Sequence, residues 1–93
     1  MLEPLEELVK IIRERKNTNS EKSYTKKLLS DKKLCVAKVN EEVNELIEAI
    51  EKNENKIHEA ADVFYHLIVL LESSEIKIEE VLQELKKRQN AIR

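Results

Sequence analysis

Ninety-three residues without one glycine leave few folds open to this chain. The absence removes the Gly-rich loops by which P-loop and Rossmann proteins wrap phosphates in backbone N–H groups. Hairpin turn signals are missing too, and β-branched alternation is sparse, so an all-α fold is the economical reading. The one proline, Pro4, lies near the start, where it suits a first helical turn. Any phosphate bound by such a chain must be held by side chains, helix N-termini or metal.

Apolar spacing divides the chain into four to five helices. Leu5, Leu8, Val9 and Ile12 recur at helical intervals and predict a first helix of about three turns. The polar run from Asn17 to Ser23 reads as a loop, and Ser23 as the N-cap of a short helix containing Tyr24, Leu28 and Leu29. Ser30 or Asp31 caps a long helix over 32–52, whose Val36, Val39, Val43, Leu46, Ile47 and Ile50 keep a heptad-like rhythm suited to bundle packing. After a break at Lys52 to Asn55, further helices are expected over 56–72 and 78–92. The fourth is apolar nearly all round, so Asp62 is expected in surroundings that resist charge.

Charged residues make up 39% of the chain, yet the net charge is −2, which gives no electrostatic reason to expect nucleic acid or a membrane as partner. The longest nearly apolar run, Val63 to Leu71, is too short to span a bilayer, and no secretory signal is visible. Cys35 is a single thiol with no internal partner and fits a reducing compartment, so a cytoplasmic location is expected. One small domain, 1–93, has little core of its own, and its apolar faces exceed what it can cover alone. A bundle completed by dimerisation is therefore expected.

Two acidic pairs carry the chemistry. Glu42 and Glu45 are three apart, as are Glu59 and Asp62, so each pair projects from one helical face. An antiparallel hairpin through the break at Lys52 to Asn55 would bring all four together, an arrangement that a hard cation such as Mg²⁺ stabilises. The bland alternative is a set of solvated ion pairs and caps. A di-iron bundle would want Glu-x-x-His on two helices, and that motif is missing. His66, on the stripe of Glu59 and Asp62, reads as a residue supporting the ligands or touching substrate, or as a satisfied core histidine. Tyr24 is a ligand contact or packing, and Lys86-Lys87-Arg88 a solvated face.

Longer stretches resemble the phosphoribosyl-ATP pyrophosphohydrolase family, within the broader MazG-like nucleotide pyrophosphatases. Ser23-Tyr24-Thr25 followed by Leu28-Leu29 is similar to the family's Ser-Tyr-Thr element. Lys38-Val39-Asn40-Glu41-Glu42-Val43-Asn44-Glu45 resembles its Lys-Val-Gly-Glu-Glu-x-x-Glu motif, with Asn40 in place of glycine. Glu59-Ala60-Ala61-Asp62-Val63-Phe64-Tyr65-His66-Leu67 is similar to its Glu-Ala-Ala-Asp-Leu-Leu-Tyr-His-Leu segment.

The resemblance implies an all-α MazG-like bundle, dimeric, that cleaves the α–β phosphoanhydride of phosphoribosyl-ATP in the second step of histidine biosynthesis. It implies Mg²⁺ on Glu42, Glu45, Glu59 and Asp62, with Glu41, Glu42 and Glu45 as the catalytic acids. Ser23, Tyr24, Thr25 and Lys38 become substrate contacts, joined by His66. Asn40 leaves all four ligand positions intact. Two other readings use the same residues: a housecleaning pyrophosphatase acting on free nucleoside triphosphates, and a helical interaction module without catalysis.

Overall fold

A computed structural model describes residues 1–18 and 23–89, and every regular element among them is an α-helix. Helix α1 (Glu3–Lys16) has Pro4 in its first turn, with Glu3 and Glu6 at the N-terminal end and Arg13, Arg15 and Lys16 in the last turn. That charge order opposes the helix dipole and stabilises both ends. Helix α2 (Tyr24–Ser30) is capped by Ser23, whose hydroxyl oxygen accepts from the Lys26 N–H at 3.2 Å. Of the two candidate caps for α3 (Lys32–Lys52), Asp31 is the one used: its Oδ1 accepts from the Leu34 N–H at 3.1 Å.

The turn between α3 and α4 (Lys56–Ser73) is built without glycine. Asn53 and Asn55 take left-handed φ values of 57° and 54°, a conformation that asparagine tolerates better than most residues. The Glu54 N–H donates to Ala49 O and the Asn53 N–H to Ile50 O, the paired bonds of a Schellman ending. So short a link folds α4 back along α3 as an antiparallel hairpin, the main packing unit of the chain. Helix α4 ends the same way at Glu75, φ 58°, with the Ile76 N–H on Leu71 O at 2.9 Å.

Val9, Ile12, Leu28, Cys35, Ile68 and Val69 form the core, so α1 and α2 lie against one side of the hairpin. Electrostatics adds a second tie. Arg13 reaches Glu72 at 3.1 Å and Glu79 at 2.6 Å, and Lys16 reaches Glu72 at 3.2 Å, joining α1, α4 and α5 (Ile78–Lys87). Burial alone would raise the Glu72 carboxyl, but the hydrogen bonds from Arg13 and Lys16 outweigh it and hold Glu72 below the usual range.

Three sequence expectations change. Helix α4 is not enclosed all round: Phe64 is 58% and Leu67 40% exposed, because nothing among the described residues covers that side of the hairpin. Val36, Val43, Ile47 and Ile50 of α3 are left open likewise, so the heptad rhythm marks an uncovered stripe as well as a core. Helix α5 stops at Lys87, short of the expected end, and residues 90–93 lie outside those described, as do 19–22 of the expected loop. Among the described residues no helix is long and apolar enough to cross a membrane.

Candidate functional site

The hairpin brings the acidic pairs face to face. Carboxylate oxygens of Glu42 and Glu45 on α3 and Glu59 on α4 all lie within 4.8 Å of one another. Glu59 also belongs to a second group on the same scale, with His58 and Asp62. Glu59 thus links the two groups, and Asp62 is near enough to Glu42 to disfavour its charge. Asp62 is partly open to solvent, its side chain 38% exposed, rather than sunk in apolar surroundings. His58 Nε2 lies 3.4 Å from Asp62 Oδ2. Sequence reading passed over His58, although its i,i+4 spacing from Asp62 is the pattern that could have flagged it.

The cluster is electrostatically unsatisfied. Oε2 of Glu42 and Oε2 of Glu59 are buried with no hydrogen-bond partner. Burial and then the neighbouring Glu45 push the Glu42 carboxyl up, with Asp62 adding to the effect and His66 opposing it. Burial and Glu45 push Glu59 up as well. Unpaired carboxylate oxygens facing one another are costly unless protonated or bound to a cation. An all-oxygen donor set of this kind suits a hard divalent ion.

Glu41 does not join the cluster. It is exposed and accepts from Lys38 Nζ at 3.3 Å, so the pairing open to Lys38 goes to Glu41 and not to Glu42. That hydrogen bond, before any other influence, raises the Lys38 ammonium above its usual range. Asn40 is exposed on α3.

Helix α2 forms a wall beside the acids through two side-chain bonds to α4. The Tyr24 hydroxyl lies 2.9 Å from His66 Nε2, and the Thr25 hydroxyl is bonded to that of Tyr65. Tyr24 stacks near Tyr65 at 6.3 Å, and the His66 ring stands edge-on to Tyr65 at 4.9 Å. Ser23 Oγ is occupied as the α2 cap. Burial raises the Tyr24 phenol, Lys38 draws it down, and Tyr65 and Glu42 push it up, so this side chain has the site's charges as its neighbours. Tyr65 is the second residue that sequence reasoning did not assign to the site. A cavity of about 680 Å³ between α1 and α5 is lined by Leu5, Val9, Ile78 and Leu82 and touches none of the four acids.

Residues 5–89, which span the acids, the α2 wall and all five helices, match the family described as phosphoribosyl-ATP pyrophosphohydrolase. The chain belongs to that family. It is 41% identical to the phosphoribosyl-ATP pyrophosphatase of Clostridium novyi, over 98% of this chain and 86% of that protein. To the phosphoribosyl-ATP pyrophosphatase of Halobacterium salinarum it is 38% identical, over 95% of this chain and 99% of the relative. The histidine biosynthesis bifunctional protein HisIE of Pyrococcus furiosus is 45% identical over 90% of this chain, which spans only 40% of that longer protein. The pyrophosphohydrolase family's all-α fold accords with the helices seen here.

Proposed function

We propose that this chain hydrolyses the α–β phosphoanhydride of phosphoribosyl-ATP, giving phosphoribosyl-AMP and pyrophosphate, as a Mg²⁺-dependent cytoplasmic enzyme of histidine biosynthesis. Family membership supports the reaction, and one observation of the site supports the metal: the two buried oxygens of Glu42 and Glu59 that no group among the described residues satisfies. Glu42, Glu45, Glu59 and Asp62 would hold the ion. When bound, Mg²⁺ offsets the negative charge of the phosphate chain and of the leaving pyrophosphate.

The remaining roles belong to side chains. Glu42 and Glu45 are the acids of the cluster available to orient the attacking water and take its proton, with Glu41, turned toward Lys38, as the adjacent acid of the same helix. Lys38, kept charged by Glu41, attracts the phosphates and steers them toward the acids. Ser23, Tyr24 and Thr25 line the α2 wall against which the nucleotide lies. A second copy of the chain covers the open stripes on α3 and α4, which makes the working form a homodimer.

Pyrophosphate release from phosphoribosyl-ATP, with and without Mg²⁺ and beside ATP and dUTP, tests the proposal. Mg²⁺-dependent turnover of phosphoribosyl-ATP alone is expected. Turnover of the free triphosphates in its place would move the chain to a housecleaning role, and no turnover at all would leave a helical interaction module.

A further inference from the structure

Tyr24 and Thr25 are the first two residues of α2, a helix of seven residues. Helices so short are marginal by themselves, so the place of α2 depends on what holds it. Leu28, fully buried in the core, anchors its second half. The first turn is the part that frays, and Ser23 closes it only locally, through the Lys26 N–H. Lys26 also reaches the carbonyl oxygen of Lys16 at 2.9 Å, but on the end of a flexible stem. A firmer hold comes from α4, where Tyr65 and His66 meet Thr25 and Tyr24.

Tyr65 is the better placed of the two to fix the backbone of α2. Its ring is set on two sides: the Tyr24 ring lies 6.3 Å away at 22°, and the His66 ring stands edge-on at 4.9 Å and 84°. Its hydroxyl is bonded to that of Thr25, the one polar group of a half-buried side chain with a single rotatable bond to the heavy atoms. Each hydroxyl carries a proton and two lone pairs, so the bond forms whichever of them donates. Tyr65 and Asp62 are three apart on α4 and share a face. The bond therefore registers the first turn of α2 against the acid-bearing stretch of α4. Tyr24, beside Thr25, is left 45% exposed on the open side.

We infer that Tyr65 is a positioning residue for nucleotide binding: it holds the first turn of α2 through Thr25, so that Thr25 is the pin of the wall and Tyr24 its working face. Ser23, Tyr24 and Thr25 then divide into a cap, a contact and a pin. The effect on the nucleotide rests on the substrate proposed above, whereas the pin stands without it.

Two measurements test these separately. Residue-resolved hydrogen exchange of the full chain reads the first turn at the amides of Lys26 and Lys27, which are bonded to Ser23. Tyr65→Phe and Thr25→Val should each speed exchange there by about five- to tenfold, the scale of one lost hydrogen bond, and leave Ile12 in α1 unchanged. Unchanged exchange at Lys26 and Lys27, or an equal rise at Ile12, would overturn the pin. In turnover of phosphoribosyl-ATP the same variants should each raise KM by about five- to tenfold with kcat nearly unchanged. The double variant should be no worse than either single one, because the two hydroxyls act as a unit. Thr25→Ser, which keeps the hydroxyl, should stay near the unaltered chain in both measurements. Multiplying effects, failed rescue by serine, or a Thr25→Val loss well beyond that of Tyr65→Phe (the mark of a direct contact between Thr25 and the nucleotide) would overturn the positioning role. Absence of turnover in the unaltered chain would sink the substrate reading and the role in nucleotide binding with it, while hydrogen exchange would still decide the pin.

Discussion

Glu42 on α3 and Glu59 on α4 face each other across the hairpin, each holding a buried carboxylate oxygen that no group among the described residues satisfies. The turn at Asn53 and Asn55 imposes this opposition, and the surrounding packing maintains it. Stability is being spent where a cation would return it.

Replacing Glu42 by glutamine removes one charge from the cluster and supplies an amide donor to a neighbouring carboxylate. Glu42→Gln should raise the melting temperature of the metal-free chain by several degrees. It should also abolish the Mg²⁺-induced rise and lower turnover by about 10²-fold or more, as for loss of a preorganised electrostatic group. Thermal scans with and without Mg²⁺, read beside turnover, check this. A destabilised variant that still responds to Mg²⁺ would contradict it.

The pH dependence of stability should show two opposing limbs. Glu42 and Glu59 have folded pKa values above the ordinary carboxyl range, because burial and Glu45 disfavour their charge. Their protonation therefore favours the folded state below that range, and this contribution is lost as pH rises through their raised values. Glu79 behaves oppositely: its hydrogen bonds with Arg13 hold it down to about 2, so its stabilisation is present above about 4.5 and lost as pH falls toward 2. Denaturant midpoints of the metal-free chain should thus peak in mildly acidic solution. Mg²⁺ should flatten the upper limb, and Arg13→Met should weaken the lower one.

Glu75 occupies a left-handed position at the end of α4, where a side chain costs about 1–2 kcal/mol that glycine avoids. Glu75→Gly should stabilise the chain by about 1 kcal/mol without affecting turnover, since the residue lies at the far end of α4 from the acids. Chemical denaturation measures the gain directly. A loss of stability would mean that the Glu75 side chain contributes more than the geometry indicates.

Sedimentation at micromolar concentration should find a dimer. Phe64→Asp, which places a charge in the open stripe of α4, should shift the species to monomer while leaving the helical content largely intact. A monomer in the unaltered chain would mean that the stripes on α3 and α4 serve another partner.

What the sequence made legible was local. Ser23 and Asp31 were readable as caps because a cap needs only a suitable side chain three residues before the N–H it satisfies. The four acids were readable because i,i+3 spacing fixes a helical face and a short break fixes the hairpin. The ties between Arg13, Glu72 and Glu79 were not readable, since they join residues about sixty positions apart and no periodicity encodes them. The Thr25–Tyr65 bond escaped for the same reason. Asp62 departs from expectation because apolar composition does not by itself bury a helix: one side of the hairpin meets no other part of the described residues.

Cys35 lies fully buried where α1, α2 and the hairpin meet, and it is the chain's single thiol. Burial raises it above the usual thiol range, which keeps it unreactive while the core is closed. Its chemistry is therefore gated by motion: a thiol reagent can label it only when the helices part. The rate of that labelling counts openings of the core one molecule at a time. Anything that holds the helices together more firmly, whether a cation joining α3 to α4 through the acids or a nucleotide against Tyr24 of α2, should be heard there as a slower beat.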